Sequence, residues 1–518
     1  LDRVSTELRE IIESLLSGQI KNESDLELRK RVVAEHLRLT SLPSNARILS
    51  FAKPFERDQL KLLVRKPTRT LSGVAVIAAM TSPARCPHGI CLPCPGGVCN
   101  FSPQSYTGRE PAAMRAAQHD FDPYLQVYAR LRQLQEIGHP LDKTELIIMG
   151  GTMTARPLGY EVWFIKRCLE AMNDYPNFSP EVIQWKSFQS VAEANEAAQV
   201  RNIGTTFEIR PDWCKQEHVA RILELGGTKV ELGVQSLRDE ILRKIKRGHT
   251  VQDSVEANSV LRESGLKVGF HMMLGLPGAS FEDDLDVFRQ LFDDERFRPD
   301  YLKIYPTLVV KGTELYDLFV NGKYKPLDDN TAVELVARIK AMLPRYVRLQ
   351  RVQRDIPSPL VEAGVKKSNL RQLAIRRLKD RRQRCNCIRC REAGLKGVSQ
   401  GDFELRREVY TVCGAEEHFL SYENSDNTMI GFIRLRLGKV ARIRELHIYG
   451  PLVPLGARNV GWQHNGFGAR LLKAAESVAI DNGFDILEIT SGIGARKYYR
   501  RLNYRFMKPY MSKALCAT

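Results

Sequence analysis

Residues 71–97 read LSGVAVIAAMTSPARCPHGICLPCPGG, a run of small and β-branched residues that opens into a loop carrying Cys86, Cys91 and Cys94. The apolar stretch Gly73–Ala79 predicts a buried strand. Between Cys86 and Gly97 three cysteines, three prolines and three glycines keep the backbone out of helix or strand, so that the thiols can converge. Iron–sulfur clusters are commonly held by four cysteines, and a site with three leaves one iron open to another ligand. A structural zinc would need a fourth close ligand, for which Cys99 or His88 could serve. Spacing alone leaves both readings open.

Working outward, the strand-like segments Gly73–Ala79, Glu145–Met149, Thr205–Ile209, Lys229–Val234, Val268–Leu274, Tyr301–Tyr305 and Tyr346–Val352 alternate with helical patterns such as Val251–Ser264 and Phe281–Phe292. This alternation predicts a parallel sheet with crossover helices. No GxGxxG follows the first strand, which weakens a dinucleotide-binding reading and sets a full or partial (β/α) barrel beside it. The cysteine loop then follows the first barrel strand, where a catalytic cofactor sits in such folds. From about Phe403 the character changes. Thr428–Leu437 and Ala441–Tyr449 read as paired strands and Gly466–Ile480 as an amphipathic helix, a second and smaller α/β unit. The expected organisation is an N-terminal helical, basic accessory region (1–60), a barrel domain (61–360), a basic linker with a cysteine cluster (361–402) and the second α/β domain (403–518).

A chain of 518 residues predicts two to four domains at about 100 to 200 residues each. Hydrophobic and charged contents of 43% and 27% are those of a folded soluble chain, and no apolar run approaches the roughly 18 residues that cross a membrane. The first residues place Leu8, Ile11, Ile12, Leu15 and Leu16 at helical spacing and lack a signal peptide's basic start, so a cytoplasmic location is expected. In that compartment the 11 cysteines favour metal, redox or core roles over disulfides. Cys168, Cys214, Cys413 and Cys516 read as small buried hydrophobes.

The formal charge of +17 favours a polyanionic partner, nucleic acid first. Between Lys366 and Arg391 the sole acid is Asp380, so the basic charge is clustered. Arg345, Arg348, Arg351 and Arg354 recur nearby, but a strand would send alternate members to opposite faces, and not all four can meet one ligand.

Two further motifs carry chemistry. Gln463-x-x-Gly466-x-Gly468, just before a helix, lets the backbone approach a ligand and points amides at a pyrophosphate. Cys385, Cys387 and Cys390 form C-x-C-x2-C, suited to a structural zinc, with Cys413, His418 or a carboxylate as candidates for the fourth ligand.

These stretches together resemble known families. The cysteine loop resembles that of radical S-adenosylmethionine (SAM) enzymes. The fuller set resembles the Elongator catalytic-subunit family of tRNA uridine carboxymethylating enzymes: QSYTGREPAAMRA from Gln104, MGGT from Met149, EIRPD from Glu208, ELGVQS from Glu231 and KIYPTLVVKGTELY from Lys303. GWQHNGFG and SGIGARKYYRRLNYRFMKPYMSK resemble that family's GNAT-type acetyltransferase segment, with Asn503 standing where its LGY motif has glycine. Asn tolerates positive φ better than most residues, so the turn is expected to survive.

The resemblance implies that Cys86, Cys91 and Cys94 ligate a 4Fe-4S cluster whose open iron binds SAM. Gly150, Gly151 and Thr152 approach the methionine end of SAM, and Glu208, Arg210 and Gln235 bind its ribose or carboxylate. Acetyl-CoA falls to Glu445, Leu446, His447 and Ile448, to Gln463, Gly466, Phe467, Gly468 and Ala469 at the pyrophosphate turn, and to Tyr499 near the thioester with Tyr498 beside it. Lys143 is a further acetyl-CoA contact that ties the two domains together, and Cys385, Cys387 and Cys390 bind zinc in the linker. The implied fold is a partial radical SAM barrel joined through this linker to a GNAT-type domain. The implied partner is a tRNA anticodon stem-loop; a homo-oligomer is compatible, no membrane is involved and no other Elongator-like subunit is required by the sequence.

In the implied reaction a SAM-derived 5'-deoxyadenosyl radical takes hydrogen from the acetyl-CoA methyl, and the carbon radical adds to C5 of the wobble uridine. Thioester hydrolysis then leaves 5-carboxymethyluridine. Two other classes compete: a protein lysine acetyltransferase on a structural barrel, for which the sequence singles out no general base, and a noncatalytic tRNA-binding scaffold, which SAM cleavage would exclude. The three-thiolate reading makes Cys99 a spare thiol. In anaerobic reconstitution, Cys99→Ser should keep the iron content and visible absorbance of the parent chain, whereas Cys86→Ser, Cys91→Ser or Cys94→Ser should each abolish both.

Overall fold

The computed structural model describes residues 3–39, 41–64, 73–181, 186–398, 401–449 and 466–515. Gln463, Cys516 and most of the GWQHNGFG motif lie outside them.

The N-terminal helices Arg3–Leu16, Glu23–His36 and Asn45–Leu49 bury the predicted face: Leu8, Ile11 and Ile12 pack with Leu26, Val33 and Ile48. Seven parallel strands then form one sheet in chain order: β1 (Ala75–Met80), β2 (Lys143–Met149), β3 (Arg201–Ile209), β4 (Lys229–Gln235), β5 (Lys267–Leu274), β6 (Tyr301–Pro306) and β8 (Arg348–Arg351). Short strands β7 (Val309–Val310) and β9 (Val361–Ala363) pair beside it. The sheet curls into a half-barrel with β1 and β8 as its ends. Its helices begin where the sequence supplies caps; Thr250 with Asp253 and Ser280 with Asp283 form reciprocal capping boxes.

Strand alternation divides the sheet into two unlike faces. Ile77, Leu146, Phe207, Val230, Phe270 and Leu302 are buried beneath the helices. The intervening residues carry charge. Lys229 Nζ lies 2.9 Å from Glu145 and 3.3 Å from Glu231. His271 Nε2 lies 2.8 Å from Glu231, and Lys303 Nζ pairs with Glu231 and stands 2.7 Å from Glu208. A ladder of paired charges thus occupies the concave side, where closed barrels carry branched apolar side chains.

The second sheet is mixed and ordered β10-β11-β12-β13-β14-β16-β15, comprising β10 (Glu404–Val412), β11 (Ala415–Glu423), β12 (Met429–Leu437), β13 (Ala441–Ile448), β14 (Ile486–Ile489), β15 (Arg505–Met507) and β16 (Tyr510–Ala514). The helix Phe467–Asp481 packs on it through Leu471, Leu472 and Ala475. Asn503 takes a φ of +67°, the left-handed turn expected of it. The parallel pair β13–β14 is held only over Ala441–Ile443, so the two strands part beyond it.

This sheet docks on the N-terminal ends of the barrel strands. Asp300, one residue before β6, accepts from Arg262 at 2.9 Å and from Arg444 of β13 at 2.7 and 2.8 Å. Glu417 of β11 accepts from Arg444 at 2.6 Å and from Arg436 at 3.3 Å. Arg434 donates to Glu445 at 2.9 Å and to the Tyr346 carbonyl at 2.7 Å. All of these side chains are buried. At Gly492 a Cβ would lie 2.0 Å from the Ile203 carbonyl oxygen, so backbone meets backbone across the junction. Arg345 and Arg348 turn to this junction, pairing with Glu423 and Glu392, whereas Arg351 and Arg354 face the other end of the barrel.

Burial opposes the charge on Asp300, yet Arg262, Arg444 and Arg434 hold its carboxyl well below the usual carboxylate range. A group whose folded pKa is depressed contributes stability above its unfolded value, about 3.9, and loses it only as pH falls further. Asp300→Asn leaves several buried guanidiniums short of a counter-charge. It should cost about 3–5 kcal/mol at neutral pH, read as a lower urea midpoint, with the deficit shrinking under acid.

Candidate active site

The cysteine loop leaves β1 at its C-terminal end and is pinned there by neighbours. Thr81 donates to the Gly150 carbonyl at 2.6 Å, and the Leu92 amide to Ile245 at 3.0 Å. Gln104 staples the loop from the QSYTG segment: its carbonyl accepts from the Cys86 amide at 2.5 Å and its amide donates to Gly89 at 3.3 Å. Gly96 has no alternative residue, since a Cβ there would lie 2.0 Å from the Tyr106 carbonyl oxygen. The Ser105 amide donates to Cys94 Sγ at 3.1 Å.

A cavity of about 190 Å³ opens here, lined by Cys86, Cys91, Cys94, Gly151, Thr152, Glu208, Arg210 and Gln235 among others. The sequence-predicted SAM residues are thereby brought together around the cysteines. Gly150, at φ +105°, packs behind the lining, where a Cβ would stand 2.7 Å from Thr81 Oγ1. Gln235 holds a left-handed φ of +72° at the end of β4, a strained conformation of the kind that persists at functional sites. Arg210 is already engaged: Nε and Nη2 donate to Asp212 at 2.9 and 2.8 Å, and Nη1 faces His88 and the Arg247 carbonyl.

The floor of the cavity is the upper end of the charge ladder. Glu208, Glu231 and His271 converge closely enough to hold a metal ion, but the Lys303 ammonium pairs with both carboxylates and supplies the positive charge itself. Burial lowers the His271 pKa, and Lys303 beside it adds to the effect. Tyr106 donates to Glu208 at 3.2 Å and closes one side.

The two cysteine clusters differ in spacing. Sulfurs around one zinc at about 2.3 Å stand about 3.8 Å apart in a tetrahedron. Cys385, Cys387 and Cys390 fit that, with their sulfurs all within 4.8 Å. Among the described residues Cys86, Cys91 and Cys94 are not gathered so tightly, which suits a cubane whose corners are separate irons. Burial, then the neighbouring Cys94, pushes the Cys86 thiol up to about 11, and bound metal would reverse this by stabilising the thiolate.

The expected fourth ligands of the second cluster lie elsewhere. Cys413 donates to the Arg296 carbonyl at 3.5 Å, and His418 sits between Arg407 and Glu416. Among the described residues no His, Cys, Asp or Glu joins the trio, and buried Lys340 donates to Cys390 Sγ at 3.6 Å. The sequence could not show this, since both candidates are placed by the β10–β11 hairpin rather than by proximity in the chain.

The acetyl-CoA candidates fall on both faces of β13. Glu445 turns to the barrel, accepting from Tyr301 and Arg434, and the His447 ring lies tilted against Tyr449 with centroids 4.3 Å apart. Leu446 and Ile448 instead turn to the helix start, within 4 Å of where a Gly468 Cβ would be. Gly466 caps that helix at φ +78°, ahead of Phe467, Gly468 and Ala469. Tyr498 is half-exposed and its hydroxyl stands 2.9 Å from the same Gly468 position, whereas Tyr499 is buried in the core with Tyr504. Lys143 opens β2, on the end of the barrel that faces the second sheet. Sequence reasoning had singled out the motifs of Gln104, Tyr106 and Lys303 without roles for them; their long-range partners, 18 to 102 residues away, were the missing signal.

Comparison with known proteins agrees with this architecture. Residues 85–291 match the Radical SAM superfamily, 299–380 the Radical_SAM C-terminal domain and 5–71 the ELP3 N-terminal domain. The chain is 44% identical to the tRNA uridine(34) acetyltransferase of Methanocaldococcus infernus, over 98% of this chain and 99% of that protein. It is 39% identical to Elongator complex protein 3 of Homo sapiens, over 98% and 96%. The solved structure of Methanocaldococcus infernus Elp3 lacking its N-terminus matches with a TM-score of 0.75 at 41% identity, covering 86% of this chain and all of that one. The chain belongs to the Elongator complex protein 3 family of radical SAM proteins, which includes the tRNA uridine(34) acetyltransferases.

Proposed function

We propose that this protein carboxymethylates the wobble uridine of tRNA, drawing the carbon from acetyl-CoA by radical chemistry. The observation that carries the reading is the single cavity at the strand ends that gathers Cys86, Cys91 and Cys94 with Gly151, Thr152, Glu208 and Gln235. The names of relatives that align over nearly the whole chain, tRNA uridine(34) acetyltransferases, supply the substrate class.

Cys86, Cys91 and Cys94 would hold a 4Fe-4S cluster, and Gly150, Gly151 and Thr152 would bring backbone against the methionine end of SAM. When bound, that pair supplies a 5'-deoxyadenosyl radical. Gln235, Glu208 and Arg210 border the same space, and Arg210 also braces the loop through His88. Lys303 and Tyr106 hold the Glu208 carboxylate in place at the floor. Acetyl-CoA would lie where β13 parts from β14, its pyrophosphate on the glycine turn at Gly466 and Gly468, with Tyr498 nearer that turn than Tyr499. Lys143 would reach it from the barrel side.

We assign a structural zinc to Cys385, Cys387 and Cys390. That segment binds both units, because the Ile388 amide donates to Val347 at 2.9 Å and Arg391 pairs with Glu423. Basic residues Arg351 and Arg354 at the cavity rim suit a phosphate backbone entering there.

The test is anaerobic turnover of the reconstituted chain with tRNA, SAM, dithionite and acetyl-CoA, followed by mass spectrometry of tRNA nucleosides. Modified wobble uridine is expected, dependent on each component and absent with Cys91→Ser. Unmodified tRNA from a cluster-loaded enzyme that still binds acetyl-CoA would defeat the reading.

A further inference from the structure

Cys91 sits in surroundings that the other two loop thiols do not share. His88 Nε2 stands 3.0 Å from its sulfur, and Arg247 Nη1 donates to it at 3.7 Å. On the far side of the imidazole, Arg210 Nη1 lies 2.5 Å from Nδ1. A guanidinium carries donors and no acceptor, so Nδ1 must be the accepting nitrogen. The ring's one proton therefore stands on Nε2, aimed at the Cys91 sulfur.

The brace behind His88 is rigid. Asp212 takes two donors of Arg210, at 2.9 and 2.8 Å, and the Arg247 carbonyl accepts from Arg210 Nη1 at 2.8 Å. Arg247 Nη2 in turn donates to the Gly233 carbonyl at 2.8 Å. Gly248 packs against the imidazole so closely that a Cβ would fall 2.5 Å from His88 Cβ. Arg210 follows β3 and Gly233 lies in β4, so the barrel frame itself sets the position of this proton.

We propose that Asp212, Arg210 and His88 form a positioning relay that fixes an N–H donor on the Cys91 sulfur and, with Arg247, raises the reduction potential of the cluster held there. The proposal rests on the reading of the loop as a 4Fe-4S site. Hydrogen bonds withdraw electron density from a ligating thiolate and favour the more negative, reduced cluster. The couple concerned is the one-electron step from the 2+ to the 1+ cluster, with dithionite as the electron source in the test. His88 is a positioning residue here, since it acts through Cys91.

The experiment is an EPR-monitored redox titration of the full-length reconstituted protein, with iron and sulfide counted per chain. His88→Phe should load the parent amount of iron and show a lower midpoint potential. His88→Gln, which keeps an N–H near the Nε2 position, should recover most of the shift. Arg210→Leu, which frees the imidazole to change tautomer, should move the midpoint in the same direction as His88→Phe. A midpoint unchanged in both His88→Phe and Arg210→Leu would overturn the relay. Loss of the cluster in His88→Phe and His88→Gln alike would also overturn it, by making His88 part of the site's framework. A parent chain that takes up no iron would instead sink the cluster reading beneath it.

Discussion

Asp300 organises the molecule because it is a buried carboxylate that three arginines, one from a barrel helix and two from the second sheet, must neutralise. Its carboxylate contacts Arg262 from the barrel side and Arg434 and Arg444 from the second sheet, all wholly buried. Burying an ion costs several kcal/mol unless partners satisfy it. Neither sheet can keep its share of these charges without the other. The consequence is a fixed junction at the N-terminal ends of the strands, and Gly492 against Ile203 shows that it is close enough for main chain to touch main chain.

That junction gives the barrel two different ends. The cysteine loop occupies the C-terminal end, and β13 with Lys143 occupies the other. Between them runs the ladder of Glu145, Lys229, Glu231, Lys303 and Glu208. A half-barrel filled with apolar side chains would be a sealed core. One filled with paired charges keeps polar groups at both ends, and each charge is tolerated only because the next rung answers it.

The order of strands and the site loop were legible because they depend on local pattern. Gly73–Ala79 reads as a strand from its composition, CPHGICLPCPGG reads as a thiol loop from its spacing, and Asn503 takes the left-handed turn its side chain permits. What was not legible depends on partners far away in the chain. Arg210 has the chemistry of a carboxylate binder, and nothing in EIRPD shows that Asp212 and His88 engage its donors. Likewise β13 carries four adjacent candidates, yet alternation turns Glu445 and His447 toward the barrel and Leu446 and Ile448 toward the helix. Side chains alone therefore cannot all meet one ligand.

This last point bears on how the two proposed sites would share one reaction. Among the described residues the pairing of β13 with β14 stops after Ile443, and the next acid along the strand, Glu445, is bound to Tyr301 at the foot of β6. Lys303 lies two residues further along the same strand, facing the same way and bound to Glu208 in the upper cavity. One barrel strand thus reaches Glu445 at one end and Glu208 at the other through residues on a single face. A rigid strand gives both ends a common frame, so that a ligand at the proposed β13 site and one beside the cysteines would be positioned by the same backbone rather than by a hinge between domains.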